Sequence, residues 1–184
     1  MIFMILIYSC NKKIEVYKSQ INSEISNITT VEDQKETLQK VYDNSQQIVD
    51  EITNLEKNIL INRKAIYAMR AKKDSLAISN MYRVEKYLEK FPYPTSDNFN
   101  EEETLSIYYA IINDFRKSER IKYFETLNDA YKNGSITKYN YYNYLDGIHY
   151  LVLGSFYKYD KNNSIEKMIE NMYPIVAKAI DTSN

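Results

Sequence analysis

The sequence predicts an all-α protein, a long N-terminal coiled-coil-like helical arm followed by a compact bundle of four to five helices. Three observations carry this reading. Only 3 Gly and 3 Pro occur in 184 residues, whereas sandwiches and doubly wound sheets use glycine freely in turns and phosphate loops. No proline or glycine lies between Met1 and Phe91, so nothing interrupts helix there. Apolar residues recur at steps of three and four along most of the chain, which is the stripe of a helix face. The length suits one ordinary domain plus an extended arm.

From Lys12 the stripe runs through Ile14, Tyr17, Ile21, Ile25 and Ile28. Thr30 followed by Asp33 can cap the next start. Leu38, Val41, Ile48, Ile52, Leu55, Ile59, Ile66 and Met69 then keep a near-heptad rhythm, with Ser45 and Asn62 as polar interruptions. That rhythm describes a long helix packing in coiled-coil fashion against a neighbour. The apolar phase resets near Lys73, so a bend or short break is expected around Lys72–Ser79 before a second stripe of Leu76, Met81, Val84, Leu88 and Phe91. "FPYPTSDN" ends the run, because proline lacks a donor and disfavours helix in the residue before it.

Beyond it, Asn100 and Glu103 read as a capping box for a helix through Leu105, Tyr108, Tyr109, Ile112 and Phe115. A second helix carries Ile121, Phe124, Leu127 and Tyr131 and stops at "KNGS", where Gly134 can turn left-handed. Thr137 caps a third, holding Tyr141, Tyr144, Leu145, Ile148 and Leu151–Leu153. Asn163 and Glu166 form another capping box, opening a last helix that Pro174 should kink or restart. The expected organisation is an N-terminal segment at 1–10, a helical arm at 11–76 and a helical domain at 77–184.

The charge balance, 24 basic against 25 acidic residues and a net −1, gives no electrostatic ground for nucleic-acid binding. The alphabet is biased to 19 Tyr, 19 Asn, 19 Lys and 23 Ile against 5 Arg and no Trp, which most simply reflects an A- and T-rich source genome. With one His and one Cys, no zinc site of usual composition can be built, and scattered carboxylates specify no metal. No metal and no cofactor are expected.

The opening "MIFMILIYSCNKK" sets eight apolar residues and a small Ser9 before Cys10, the one cysteine, and turns polar at Asn11. It resembles the lipobox of bacterial lipoproteins. That resemblance implies that Met1–Ser9 is a removable signal, shortened at its start and lacking the usual basic n-region, and that Cys10 is the lipidated first residue of the mature protein. The apolar run is far short of the roughly 20 residues a spanning helix needs. Acyl chains would anchor instead, at ~0.8 kcal/mol per buried methylene.

The stretches "LEKFPYPTS", "LSIYYAIIND", "YFETLNDAYKNGSITKYNYYNYLDG" and "LGSFYKYD", spanning about residues 79–157, resemble a bacterial, Bacteroidetes-type family of uncharacterised helical lipoproteins. Its members read yGyP, iQH, DR and YGtq in that order. The resemblance implies a shared helix topology. Ile112 and Asn113 stand where that family has Gln-His; Asp146 is kept, but Gly147 replaces the Arg, so any site built on that His and Arg is lost here.

His149 lies one helical turn after Asp146, an arrangement a general base requires. A hydrolase reading needs these two together with Asn113 or Asp114 and a nucleophile such as Ser155. The ordinary alternative is a histidine hydrogen-bonded on a helix. Glu101–Glu103 match the macrodipole of a helix start. In "KYNYYNYLDGIHY", Tyr139 and Tyr142 fall on a different side from Tyr141, Tyr144 and Ile148, and one buried face cannot absorb every tyrosine. Tyr139, Tyr142, Tyr150 and Tyr157 are therefore candidate binding residues, since exposed tyrosine makes contact surface at low entropic cost. The reading is a non-catalytic, lipid-anchored envelope protein, membrane-attached in the periplasm or at the cell surface. It binds a protein partner, and the arm is a candidate for homo-oligomerisation. An envelope hydrolase on the helical domain is the alternative.

Overall fold

The computed structural model describes residues 17–58, 63–157 and 164–181, and every regular element among them is an α-helix. Ile14, Ile59, Asn62 and Asn163, like Met1–Ser9 and Cys10, lie outside the described residues, as do the side chains of Leu55, Ile66 and Met69. The chain divides into two compact units, Met1–Pro92 and Tyr93–Asn184. The division falls in the proline-rich stretch, and position 76, the expected end of the arm, lies inside a helix.

Unit 1 contains α1 (17–26), α2 (Val31–Asn58) and α3 (Arg63–Lys90). The start of α2 is a reciprocal cap: Thr30 Oγ1 accepts from the Asp33 N–H at 3.1 Å, and Asp33 Oδ2 accepts from the Thr30 and Thr29 N–H groups at 2.9 Å each. The neighbour that the heptad rhythm of α2 seeks is α3. Tyr87 bonds Gln34, Asn80 bonds Ser45 and Lys72 bonds Glu51, so the two helices run antiparallel. Leu38, Val41, Ser45 and Ile48 are buried from one side and Ala77, Asn80, Met81, Val84 and Tyr87 from the other.

Ser45, a polar break in the sequence pattern, sits at the centre of this seam. Asn80 Nδ2 donates to Ser45 Oγ (3.0 Å) and to the Val41 carbonyl (2.9 Å), and Asn80 Oδ1 accepts from Asn44 (3.3 Å). A buried amide so satisfied fixes register, because any slip leaves it unpaired. The expected bend at Lys72–Ser79 is absent, and α3 is continuous through it. The change of phase there marks the buried face moving onto Ala77, Asn80 and Met81, without a break in the backbone.

Helix α1 completes the unit. Ile21, Ile25 and Ile28 are buried, Arg83 pairs with Glu24 at 3.0 Å, and Lys90 Nζ donates to the carbonyls of Ile25, Ser26 and Ile28. A lysine on the last carbonyls of a helix satisfies groups that have no intrahelical donor.

Among its described residues unit 2 is a bundle of five helices: α4 (Glu101–Asn113), α5 (Lys117–Lys122), α6 (Phe124–Lys132), α7 (Lys138–Leu153) and α8 (Ile165–Asp181). The capping box of α4 is present, Glu103 N–H to Asn100 Oδ1 at 2.9 Å and Asn100 N–H to Glu103 Oε2 at 2.8 Å. The apolar stripe suggested helix through Phe115, but α4 ends at Asn113. Asp114 takes an extended conformation and accepts from the Arg116 N–H at 2.7 Å, a local turn that competes with helix and leaves Phe115 exposed.

The single helix expected over Ile121–Tyr131 is two, broken at Tyr123. Ile121, Phe124 and Leu127 are all buried, and a repeated spacing of three drifts off one face of a 3.6-residue helix. The break corrects the drift. Helix α6 closes at left-handed Gly134 (φ 81°), with Ser135 N–H on the Ala130 carbonyl and Gly134 N–H on that of Tyr131, the paired bonds of a Schellman end. Thr137 caps α7 through the Asn140 N–H (3.1 Å). For α8 the observed cap is Ser164, whose hydroxyl accepts from the Lys167 N–H at 3.3 Å. The helix passes Pro174 without restarting.

Candidate functional site

Helix α7 sets out its two faces by angle. Tyr141, Tyr144, Leu145 and Ile148 fall within about a third of a turn and are buried. The opposite stripe steps through Tyr139, Tyr142, Asp146, Tyr150 and Leu153, about 21 Å at 1.5 Å per residue. Along it Tyr139 is 72% exposed, Tyr150 48% and Leu153 54%, while Tyr142 and Asp146 are half-buried. Leu151–Leu153, carried by the same helix as the sequence predicts, are half-buried to exposed. The helix has used its buried face before reaching them.

The end of α7 gathers most of the residues a catalytic reading needs. Gly154 is left-handed (φ 74°), its N–H on the Tyr150 carbonyl at 2.8 Å, and the chain folds back over the last two turns. Asp146 Oδ1 accepts from the Tyr157 N–H at 2.7 Å. His149 Nδ1 lies 2.6 Å from the Ser155 carbonyl oxygen. A carbonyl only accepts, so Nδ1 carries the proton. The Tyr157 ring stands edge-on to His149 at 5.3 Å, and its hydroxyl accepts from Asn171 Nδ2 at 2.7 Å. Phe156, 64% exposed, stacks on Tyr150 with centroids 4.7 Å apart.

Asp146, His149, Ser155 and Tyr157 are thus neighbours, and their bonds are those of a clamp. Each carboxylate or imidazole contact named here holds the 154–157 loop against α7. Asn113 and Asp114 stand at the end of α4, in a different constellation. Asp114 is fully buried and its carboxylate takes the Arg116 guanidinium (Oδ2 to Nη2, 2.6 Å). Arg120 donates to the Asp114 carbonyl at 2.5 Å and to that of Ile112, covering the C-terminal carbonyls of α4. Burial lowers the Arg120 pKa, against the raising effect of Asp114. A Cβ on Gly147 would stand 3.6 Å from Arg120 Nη1, an ordinary van der Waals contact, so this guanidinium packs over the glycine without requiring it.

A groove of about 500 Å³ opens beside the loop, between the first residue of α5, the last turn of α7 and the second half of α8. Val152, Leu153, Pro174 and Ile175 line it, with Lys117 and Lys178. Sequence reasoning missed it. The available signal was a surplus of apolar residues at "YLVL", more than one helix face can bury.

Among the described residues no group of three or more His, Cys, Asp and Glu is placed to hold a metal ion, and no helix is long and apolar enough to cross a membrane. Comparison with protein-family models, with characterised proteins and with solved structures gives no match.

Proposed function

We propose that the protein is a non-catalytic, lipid-anchored module of the bacterial cell envelope, held at the membrane through Cys10 and binding a protein partner through α7. The observation that carries the binding half is the pair of outward tyrosines on that helix, Tyr139 and Tyr150, with half-buried Tyr142 between them and Phe156 stacked on Tyr150. Large exposed aromatics fixed by a helix and by mutual stacking lose little entropy on binding and are enriched at the energetic centres of interfaces. The module reading is preferred to an envelope hydrolase because Asp146 and His149 hold the loop that presents Phe156. The anchoring half draws on the lipobox-like "MILIYSC", and family kinship with helical lipoproteins is part of the same proposal.

Two experiments test the halves separately. Cys10→Ala is expected to move the protein from the membrane fraction to the soluble fraction of cells, and undiminished sedimentation with membranes overturns the anchor. A photo-crosslinking residue at position 156 is expected to give a discrete adduct in native envelopes that disappears with Tyr150→Ala. A pattern identical to that of a crosslinker at exposed Lys132 overturns the binding surface.

A further inference from the structure

The turn between α6 and α7 contains Asn133–Gly134, the one Asn–Gly pair in the sequence. An asparagine followed by glycine is prone to cyclise on itself, because the next residue has no side chain to shield its nitrogen or to resist the rotation that closure needs. Asn133 and Gly134 are both exposed, and a Cβ placed on Gly134 would meet nothing within 4 Å, so water reaches the pair freely.

The backbone holds the pair away from that reaction. Closure of a five-membered ring puts the Gly134 nitrogen against Cγ of Asn133, which requires the nitrogen to eclipse Cβ about the Cα–C bond. Asn133 has φ −87° and ψ 0°. At that ψ the Gly134 nitrogen eclipses the backbone nitrogen of Asn133 instead, and the tetrahedral Cα leaves it about a third of a turn from Cβ. Three hydrogen bonds fix this geometry: Gly134 N–H to the Tyr131 carbonyl (3.1 Å), Ser135 N–H to Asn133 Oδ1 (3.0 Å) and Ser135 N–H to the Ala130 carbonyl (2.8 Å). The first engages the proton that the attacking nitrogen must lose. The second holds the amide that would be attacked.

We infer that Asn133 is a site of spontaneous deamidation that the folded turn keeps latent and that opening of the turn releases. The Gly134 nitrogen gives its proton to hydroxide and bonds to Cγ; the Cγ–Nδ2 bond breaks, and the nitrogen leaves as ammonia after taking a proton from water. Water then opens the cyclic imide at one of its two carbonyls. Cleavage at Cγ gives aspartate, and cleavage at the backbone carbonyl gives isoaspartate, whose main chain runs through Cβ and Cγ. The sum is amide plus water to carboxylic acid plus ammonia, with no change of oxidation state.

The two products differ in consequence. Aspartate keeps an oxygen that accepts from the Ser135 N–H. Isoaspartate lengthens the main chain by a carbon inside the Schellman end, so the bonds to Ala130 and Tyr131 lose their register. Tyr131, two residues before Asn133, stacks on Tyr141 of α7 at 5.0 Å, so the lesion loosens α7 where its buried tyrosines begin. This inference is independent of the envelope reading, because it uses neither Cys10 nor the Tyr150–Phe156 stack.

The experiment is peptide mapping by mass spectrometry of the full chain, folded and in urea, at mildly alkaline pH beside a free peptide of residues 129–138. The peptide and the unfolded chain are expected to deamidate at Asn133 at closely similar rates. The folded chain is expected to react about tenfold or more slowly, since a locked site reacts only in its opened fraction. A folded chain that deamidates as fast as the peptide overturns the latency, and an unfolded chain inert at Asn133 overturns the site. Isoaspartate chain, separated and refolded, is expected to lose hydrogen-exchange protection at the Ser135 and Ile136 amides, while Asn133→Asp retains it. Equal protection in the two overturns the consequence assigned to the lesion.

Discussion

Unit 1 closes its interior mainly with aliphatic side chains around the Ser45–Asn80 layer, with Tyr87 bonded to Gln34 at one end, whereas unit 2 sets several tyrosines and charged groups turned onto backbone among its aliphatic side chains. Tyr108, Tyr141 and Tyr144 are among its largest buried side chains, and Asp114, Glu103 and Asn128 are buried beside them. An aliphatic seam depends on shape and tolerates changes of pH. A tyrosine-filled interior depends on keeping every hydroxyl neutral and on finding most of them a partner. The same tyrosine-rich alphabet therefore gives one unit both its exposed aromatic side chains and an interior vulnerable to alkali.

Alkaline pH is the strongest way to break that difference. Burial holds the hydroxyls of Tyr93, Tyr108, Tyr141 and Tyr144 above the ordinary value of 10.0. Below pH 10 these groups are neutral in both folded and unfolded chains, so stability is unaffected. Above it the unfolded chain ionises and the folded one resists, so stability falls as pH rises. Each withheld ionisation costs about 1.4 kcal/mol for every pH unit above the unfolded value, so the buried tyrosines together make the loss steep. Hydrogen exchange across this range is expected to show α4 and α7 losing protection before α2 and α3. Tyrosinate absorbance developing near pH 10 with all amides still protected is the contrary result.

The polar layer of unit 1 is the next point of attack. Asn80→Ala removes the amide donations to the Ser45 hydroxyl and the Val41 carbonyl, which keep the bond from Ser45 Oγ to Val41 O (2.8 Å), at an expected cost of about 1 kcal/mol in urea unfolding. Ser45→Ala with Asn80→Leu removes both partners and should recover that loss. If Asn80 specifies the pairing, the double variant also associates, which light scattering reads. A monomer with unchanged stability in both variants contradicts the role assigned to the layer.

Much of unit 1 was legible from its sequence because a heptad seam repeats the same signal many times. The capping residues were equally readable, since Thr30, Asn100 and Thr137 act through bonds to residues three away. What escaped was the partner. Periodicity shows that α2 has a sticky face and cannot say that the covering helix is the next one in the chain. In unit 2 local geometry overrides the stripe, through a polar turn in one place and apolar spacing in another. Asp114 stops α4 before Phe115, and the crowded spacing of Ile121, Phe124 and Leu127 forces the break at Tyr123. For the site, neighbours within one turn, such as Asp146 and His149, could be read from spacing. The loop that occupies them and the groove beside it depend on the meeting of α5, α7 and α8, which no local pattern encodes.

A smaller effect compares two stacked neighbours. The Tyr144 hydroxyl donates to the Arg120 carbonyl at 2.8 Å, while the buried Tyr141 hydroxyl has no hydrogen-bond partner among the described residues. Tyr144→Phe is expected to destabilise by about 1 kcal/mol, and Tyr141→Phe to be neutral or to stabilise by a similar amount. Equal losses from the two would mean that Tyr141 is satisfied after all.

The least effect lies in unit 1, and it responds to acid. Asp33 accepts from two backbone N–H groups at the start of α2, and these bonds, those of Thr29 and Thr30, lower its carboxyl from 3.8 to about 2. A carboxylate whose folded pKa is depressed stabilises the fold fully above its unfolded value. That contribution is lost as pH falls from about 4 through about 2, because the folded chain must then take up a proton it resists. The cap is exposed, so solvent screens it and the contribution is small. Asp33→Asn should lower stability at neutral pH and flatten its fall between pH 4 and pH 2, with the change confined to α2 amides in hydrogen exchange. A variant that fell as steeply as the wild type would place the acid sensitivity in another carboxylate, and the Thr30–Asp33 cap would then serve as local geometry alone.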